Sequence, residues 1–237
     1  MKKYFLIIVI FVVISLLGFS IIPKNPFYNI NWSIMSALII GLAMLAFFWN
    51  FEKQGVSSKE VALIATMTTL AAVSRVPFAI IMSFQPMTFI VMITGYVFGV
   101  QTGFMVGALA ALVSNFFLGQ GPWTPWQMFC WGMAGVISAL LGNKKKEFAF
   151  TKFIILAACW GFIHGWTMNL WHWVSFVFPL TLKTFLATYI ASFPFDTLHS
   201  LGNVIFSLLF GKTFYTILQR FKNKIIVVPL DNNADIV

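Results

Sequence analysis

Seven of the nine tryptophans in the chain lie between Trp123 and Trp173. They form two groups, Trp123, Trp126 and Trp131, then Trp160, Trp166, Trp171 and Trp173, and both are interleaved with amides and imidazoles. Flat rings give contact area at low entropic cost and amides give direction, so the mixture reads as the rim of a small-molecule pocket. For Trp166 and Trp173 alone, an aromatic belt at headgroup level explains the residues as well. The segment Asn115-Phe116-Phe117-Leu118-Gly119-Gln120-Gly121-Pro122-Trp123-Thr124-Pro125-Trp126-Gln127 is the densest such mixture, stiffened by prolines and loosened by glycines. Arg75 is the only arginine within an apolar run. A permanent charge there costs roughly 3 kcal/mol or more unless it is paired or faces water. Asp196 is the expected structural partner, and an anionic group on a ligand is the alternative.

Other chemistries find less support. His164 and His172 are two helical turns apart, His199 is on another element, and no HExxH-type spacing occurs, so no metal site is expected. His164 and Asn169 flank Trp166 and are candidate ligand contacts. Asp196 and His199, one turn apart, are the only pair an intramembrane hydrolase could use, and no GxSxG motif accompanies them. A Walker motif is absent, so the chain does not itself couple ATP hydrolysis to transport. Cys130 and Cys159 lack CxxC spacing and read as small core residues.

The elements that must hold these side chains are membrane helices. Hydrophobic residues make up 60% of the chain and charged residues 9%, too few for a domain whose main solvent is water. In hydrocarbon the backbone must satisfy its own hydrogen bonds, and the apolar runs are of helix length, so the fold class is an all-α integral membrane protein. Spans are predicted near 4–22, 31–50, 58–82, 86–100, 102–119, 126–142, 152–176 and 184–218, about eight in all, with a break at Pro194 in the last. The first run is longer than a signal-peptide core and ends without a small-x-small site, so it is read as a retained helix.

With the N-terminus in the cytoplasm, inner connections carry Lys2, Lys3, Lys53, Lys59, Lys144, Lys145, Lys146, Lys152, Lys212, Arg220, Lys222 and Lys224, and outer ones only Lys24 and Lys183. Both termini are then inside, and the turns at Ser83–Pro86 and Leu118–Pro125 face out. The net charge of +9 is thereby spent on orientation, with lipid rather than nucleic acid as its partner. The chain divides into residues 1–55, a two-helix extension; 56–221, a six-helix core; and 222–237, a tail.

Two stripes of small residues stand out. Gly95, Gly99, Gly103, Gly107 and Ala111 recur every four residues and allow close helix packing; Ala62, Ala65, Thr69 and Ala72 could face a neighbouring helix or a partner subunit.

The run from Gln85 through Gly142, with QPMTFIVMITGYVFG, GFMVGALAALVSNFFLGQGPWTPWQMF and WGMAGVISALLG, resembles the substrate-specific S-components of energy-coupling factor transporters. The resemblance covers Val56 to Phe221, and the FLGQGPWTPWQM segment is most similar to the cobalamin-type members. It implies a six-helix, non-catalytic subunit in the cytoplasmic (inner) membrane of a bacterium. Such a subunit captures a vitamin from outside and docks on a transmembrane coupling subunit served by two ATPases. Cobalamin or a related corrinoid is the ligand implied by that segment; a flat heteroaromatic vitamin suits the same aromatic residues, and no covalently bound cofactor is expected. The expected substrate contacts are Arg75, Gln85, Asn115, Gln120, Trp123, Trp126, Gln127, Trp160, His164 and Asn169. The docking face of the family is an Ala-x-x-x-Ala pattern; here Ala65-x-x-x-Thr69 and Thr68-x-x-x-Ala72 depart from it, which puts Ala62, Ala65, Thr69 and Ala72 forward only as the corresponding surface. A self-sufficient carrier would show an inverted repeat between halves, and none is visible.

Overall fold

The computed structural model describes residues 32–53, 57–142 and 147–225, and among these every regular element is helical. In order they are α1 (Trp32–Lys53), α2 (Ser58–Arg75), a 3-10 turn (Pro77–Ile80), α3 (Met87–Phe98), α4 (Val100–Leu118), α5 (Thr124–Gly142), α6 (Phe150–Phe176) and α7 (Leu182–Ile225). The span expected at 4–22 and the tail from 226 lie outside the described residues. Among the described residues, four stretches are long and apolar enough to cross a membrane: Ser58–Ile80, Val100–Leu118, Phe150–Phe176 and Leu182–Lys224. The chain is therefore a multi-pass helical membrane protein. α3, with 12 residues, is only about 18 Å long and falls short of the hydrocarbon thickness.

The glycine stripe brings three helices into backbone contact. A Cβ on Gly95 or Gly107 would overlap the backbone of α5, at Gly135 and Trp131 respectively, and one on Gly103 would come within 2.7 Å of the Gly95 Cα and 2.9 Å of Gly135. α3, α4 and α5 thus pack with no side-chain layer between them. Gly99, the remaining glycine of that stripe, has another role: at φ 102 it ends α3 and starts α4, a conformation that residues with a Cβ rarely adopt. Phe89, Phe104, Trp131 and Phe153 fill the core around this block. α1 lies on its outside, where Phe47 stacks on Phe104 at 3.9 Å, Gln101 Nε2 donates to Phe47 O at 2.9 Å and Trp126 Nε1 donates to Ser36 Oγ at 3.3 Å.

α7 runs unbroken through Pro194, contrary to the expected break. In lipid a broken helix would leave several carbonyls and N–H groups without partners, whereas proline inside the helix forfeits one hydrogen bond. The neighbouring α6 holds the segment: Tyr189 OH donates to Trp166 O at 2.9 Å, Trp173 Nε1 to Thr184 Oγ1 at 3.1 Å and Asn203 Nδ2 to Ala157 O at 3.0 Å, and Gly161 abuts the Ser200 backbone. At 44 residues α7 is about 66 Å long, more than twice the hydrocarbon thickness. Its second half packs on α3 through Phe89–Phe214 and Tyr96–Tyr215.

Ser57 caps α2 by accepting from Glu60 N at 3.3 Å. The stripe expected on this helix is divided: Ala62, Ala65 and Thr69 are exposed, while Ala72 is 1% exposed. Ala72 stands about 80° around the helix from Ala62, and the packing of α3 and α4 against α2 closes over that edge.

Candidate functional site

Two connections meet at one end of the bundle. After Arg75 the chain passes through the 3-10 turn and a turn in which Ser83 takes a left-handed φ of 64. After Leu118, Gly119 (φ 109) closes α4 with its N–H on Asn115 O at 2.8 Å, and a short loop starts α5. α6 and the first half of α7 supply the facing wall. Between them lies a cavity of about 560 Å³.

One wall is organised around Arg75. Its Nε donates to Gln85 Oε1 at 3.0 Å, and its Nη1 donates to Ser114 Oγ and to Asn115 Oδ1, both at 2.7 Å. Every acceptor is neutral. Hydrogen bonds to a charged group contribute about 1.5–3 kcal/mol each, so three of them offset much of the burial cost without a counter-ion. A guanidinium has five N–H donors, and these bonds use three, leaving the two on Nη2. Asn115, 1% exposed, is itself fixed: its Nδ2 donates to Gln127 Oε1 at 2.8 Å and to Thr124 Oγ1 at 3.1 Å, and Thr124 donates to Gln120 Oε1 at 2.9 Å.

Trp131 forms the floor. The Arg75 guanidinium lies 4.8 Å from its ring centre, a cation-π arrangement, and the His164 ring lies 4.5 Å away on the other side of the cavity lining. Trp131 Nε1 donates to Thr88 Oγ1 at 3.0 Å, and Thr88 Oγ1 is 2.8 Å from His199 Nε2. The His164 and His199 rings meet edge-on at 5.0 Å. His164 Nε2 is buried with no hydrogen-bond partner.

The facing wall carries a carboxylate. Asn169 Nδ2 donates to Ser192 Oγ, which donates to Asp196 Oδ2 at 3.0 Å. The carboxylate sits over Gly165, where a Cβ would collide with it. The predicted ion pair between Arg75 and Asp196 is not formed: the two charges face one cavity, each held by neutral groups of its own wall. Asp196 and His199 also belong to separate hydrogen-bond networks, the one through Ser192 and the other through Thr88. Among the described residues, no three His, Cys, Asp or Glu side chains gather as a metal site would require.

The family described as of unknown function, DUF6580, matches residues 55–225. The chain belongs to that family. No curated protein and no solved structure matches it. The DUF6580 region contains every residue that lines the cavity and begins after α1 ends.

Of the expected substrate contacts, Arg75, Gln85, Gln127, His164 and Asn169 line the cavity, joined by Asp196 and His199. Asn115 stands behind Arg75, and Gln120 is tied into the loop, its Nε2 donating to Leu112 O at 2.9 Å. Three tryptophans are elsewhere. Trp126 turns to α1, Trp123 meets Trp171 edge-on at 6.4 Å, and Trp160 is buried with its N–H unpartnered. Trp131, noted with its cluster but not among the expected contacts, lines the cavity, as do Gly165 and Ser192, which were not chosen. Helical spacing carries the missing signal: Trp131 is four residues after Gln127, Gly165 adjoins His164, and Ser192 is four before Asp196.

Proposed function

We propose that this chain is the substrate-binding S-component of an energy-coupling factor importer, and that its cavity takes a small vitamin or vitamin precursor bearing an anionic group. The observation that carries this reading is Arg75: a guanidinium locked by three neutral acceptors, with two N–H donors left over at a cavity wall. A pre-set cation without a counter-ion is what an anion receptor needs, since the ligand then completes the electrostatics at no cost in rearrangement. Asp196 opposite selects for a donor at the other end of the ligand, and Trp131 offers a face for a flat ring. A volume of about 560 Å³ lies in the range that drug-sized molecules fill, which favours a flat heteroaromatic ligand over cobalamin or another corrinoid with its macrocycle and nucleotide tail.

The orientation follows the charges. Lys53, Lys59, Lys152, Arg220, Lys222 and Lys224 lie at helix ends remote from the cavity, which supports a reading with those ends in the cytoplasm of a bacterium and the cavity toward the outer face of its inner membrane. Ala62, Ala65 and Thr69, exposed on α2, are the surface for a transmembrane coupling subunit, and two partner ATPases hydrolyse the ATP. Thr69 Oγ1 donates to Ala65 O at 2.9 Å, so the hydroxyl is satisfied within the helix and the face presented is apolar.

The test is mass spectrometry of small molecules co-purified with the protein, followed by calorimetric titration of the compound found and of a vitamin panel in the absence of ATP. Saturable binding by the wild type, lost in Arg75→Gln, is expected. Co-purification of lipid alone, with no saturable binding across the panel, sinks the reading.

A further inference from the structure

A second concavity opens at the far end of the bundle, between the start of α2 and the end of α7. Its volume is about 750 Å³. Leu63, Met67 and Leu218 form a buried apolar floor, and Ala62, Ile217 and Phe221 form exposed apolar walls. Thr66 adds its methyl group, because its hydroxyl donates to Ala62 O at 2.8 Å. Over this apolar trough stand three cations, Lys59, Arg220 and Lys224.

Those cations are unspent. Among the described residues none of the three makes an ion pair or a side-chain hydrogen bond, whereas their neighbours are engaged: Lys222 Nζ donates to Val97 O at 2.6 Å, and Lys212 lies over the Phe150 ring at 5.1 Å. Glu60, next to Lys59 in sequence, accepts from Thr102 Oγ1 at 3.3 Å and so is turned toward α4. Positive charges converge on an apolar trough at the ends of two membrane helices, which is the depth at which lipid phosphates lie. A basic pocket between helices at that depth recognises an anionic headgroup, while the walls below it receive an acyl chain.

We propose that this groove is a binding site for one anionic glycerophospholipid, its phosphate held by Lys59, Arg220 and Lys224 and an acyl chain laid between α2 and α7 against Met67 and Leu218. The assignment is independent of what the other cavity holds. Its position matters all the same: Ala62 belongs both to the groove and to the exposed small-residue face of α2, so the lipid borders the surface assigned to the coupling subunit.

The experiment is native mass spectrometry of the full chain in detergent, titrated with phosphatidylglycerol and, separately, with phosphatidylcholine of the same acyl chains. One equivalent of phosphatidylglycerol is expected to stay bound under activation that strips phosphatidylcholine. Lys59→Gln, Arg220→Gln and Lys224→Gln should each weaken it about fivefold, and the three together roughly a hundredfold. Thr66→Trp fills the trough and leaves the charges in place, and it should lower occupancy as well. Monodisperse gel filtration of each variant secures the fold, and the single variants serve if the triple one does not fold. Equal retention of the two lipids overturns the proposal. So does unchanged binding in the charge variants, or an effect of the charges with none of Thr66→Trp, which would mean diffuse attraction to the surface. A dimer mass lost in Thr66→Trp would give the groove to a second copy of the chain and would overturn it too.

Discussion

Arg75 is held by Gln85, Ser114 and Asn115, and each of these is neutral, so the charge remains available to the cavity. Arg75→Lys keeps the charge but cannot reproduce the fork, and affinity for the anionic ligand should fall about tenfold, read by calorimetry. Asn115→Asp should have a comparable effect for the opposite reason, because a carboxylate at that position supplies the counter-ion the ligand otherwise provides. A result in which Asn115→Asp tightens binding would mean that the ligand is cationic there. On the facing wall, Gly165→Ala drives a methyl group into the Asp196 carboxylate and should lower the melting temperature in detergent, at a loss of about 2 kcal/mol. Asp196→Ala in the same chain should restore most of it. The sequence made Arg75 conspicuous because a lone charge in an apolar run needs an account. It did not show the account, because amide and hydroxyl acceptors from two separate segments are as effective as one carboxylate and leave no charged residue to notice. Trp126 and Trp131 illustrate the same limit: both belong to a helix packed on several sides, and only the placement of α1 decides which ring faces inward.

At the scale of elements, periodicity located the helices well, since seven of the expected spans correspond to α1 through α7, with ends agreeing within three residues except that α2 stops at Arg75 and α7 runs on to Ile225. The exceptions have physical causes. Proline at position 194 signals a break in water, yet in lipid continuing the helix leaves fewer polar groups stranded. Pro194→Ala should therefore keep the fold and raise the melting temperature, because it restores a lost hydrogen bond; a lower melting temperature would show that the proline fits its site better than the helix average. The glycine stripe was legible as a close-packing surface, but its partner was not, because many helices could sit against a smooth face. Gly135→Val and Gly107→Val should each cost about 3 kcal/mol or more, since a side chain there meets backbone that cannot yield. Gly41→Ala, in open space on α1, should be neutral or slightly stabilising by the same thermal measurement.

For the whole molecule, composition and charge sufficed to place the chain in a membrane, whereas the position of the cavity depends on contacts between residues more than a hundred apart, such as Thr88 with His199. Orientation is testable directly. In a Cys159→Ala background, with Cys130 buried, Ser83→Cys should react with a membrane-impermeant maleimide on intact cells, and Lys152→Cys only after permeabilisation. The reverse pattern would invert the topology.

The contact of α3, α4 and α5 backbone on backbone has a mechanical consequence. Helices separated by side chains can slide as rotamers rearrange, but these three have nothing between them to rearrange, so they behave as one stiff frame, to which the second half of α7 is bolted by the ring pairs around Phe214 and Tyr215. α6 and the first half of α7 form a separate arm, stapled to itself by Trp173, Tyr189 and Asn203. The cavity lies along the joint: Gln127 and Trp131 stand on the frame, Arg75 at the end of α2 is tied to it through Ser114 and Asn115, and His164, Asn169 and Asp196 stand on the arm. Pro194, the one residue of α7 unable to donate its backbone hydrogen bond, is in the arm beside that joint, so a load applied by a ligand between frame and arm finds its compliance there and nowhere in the glycine-packed frame.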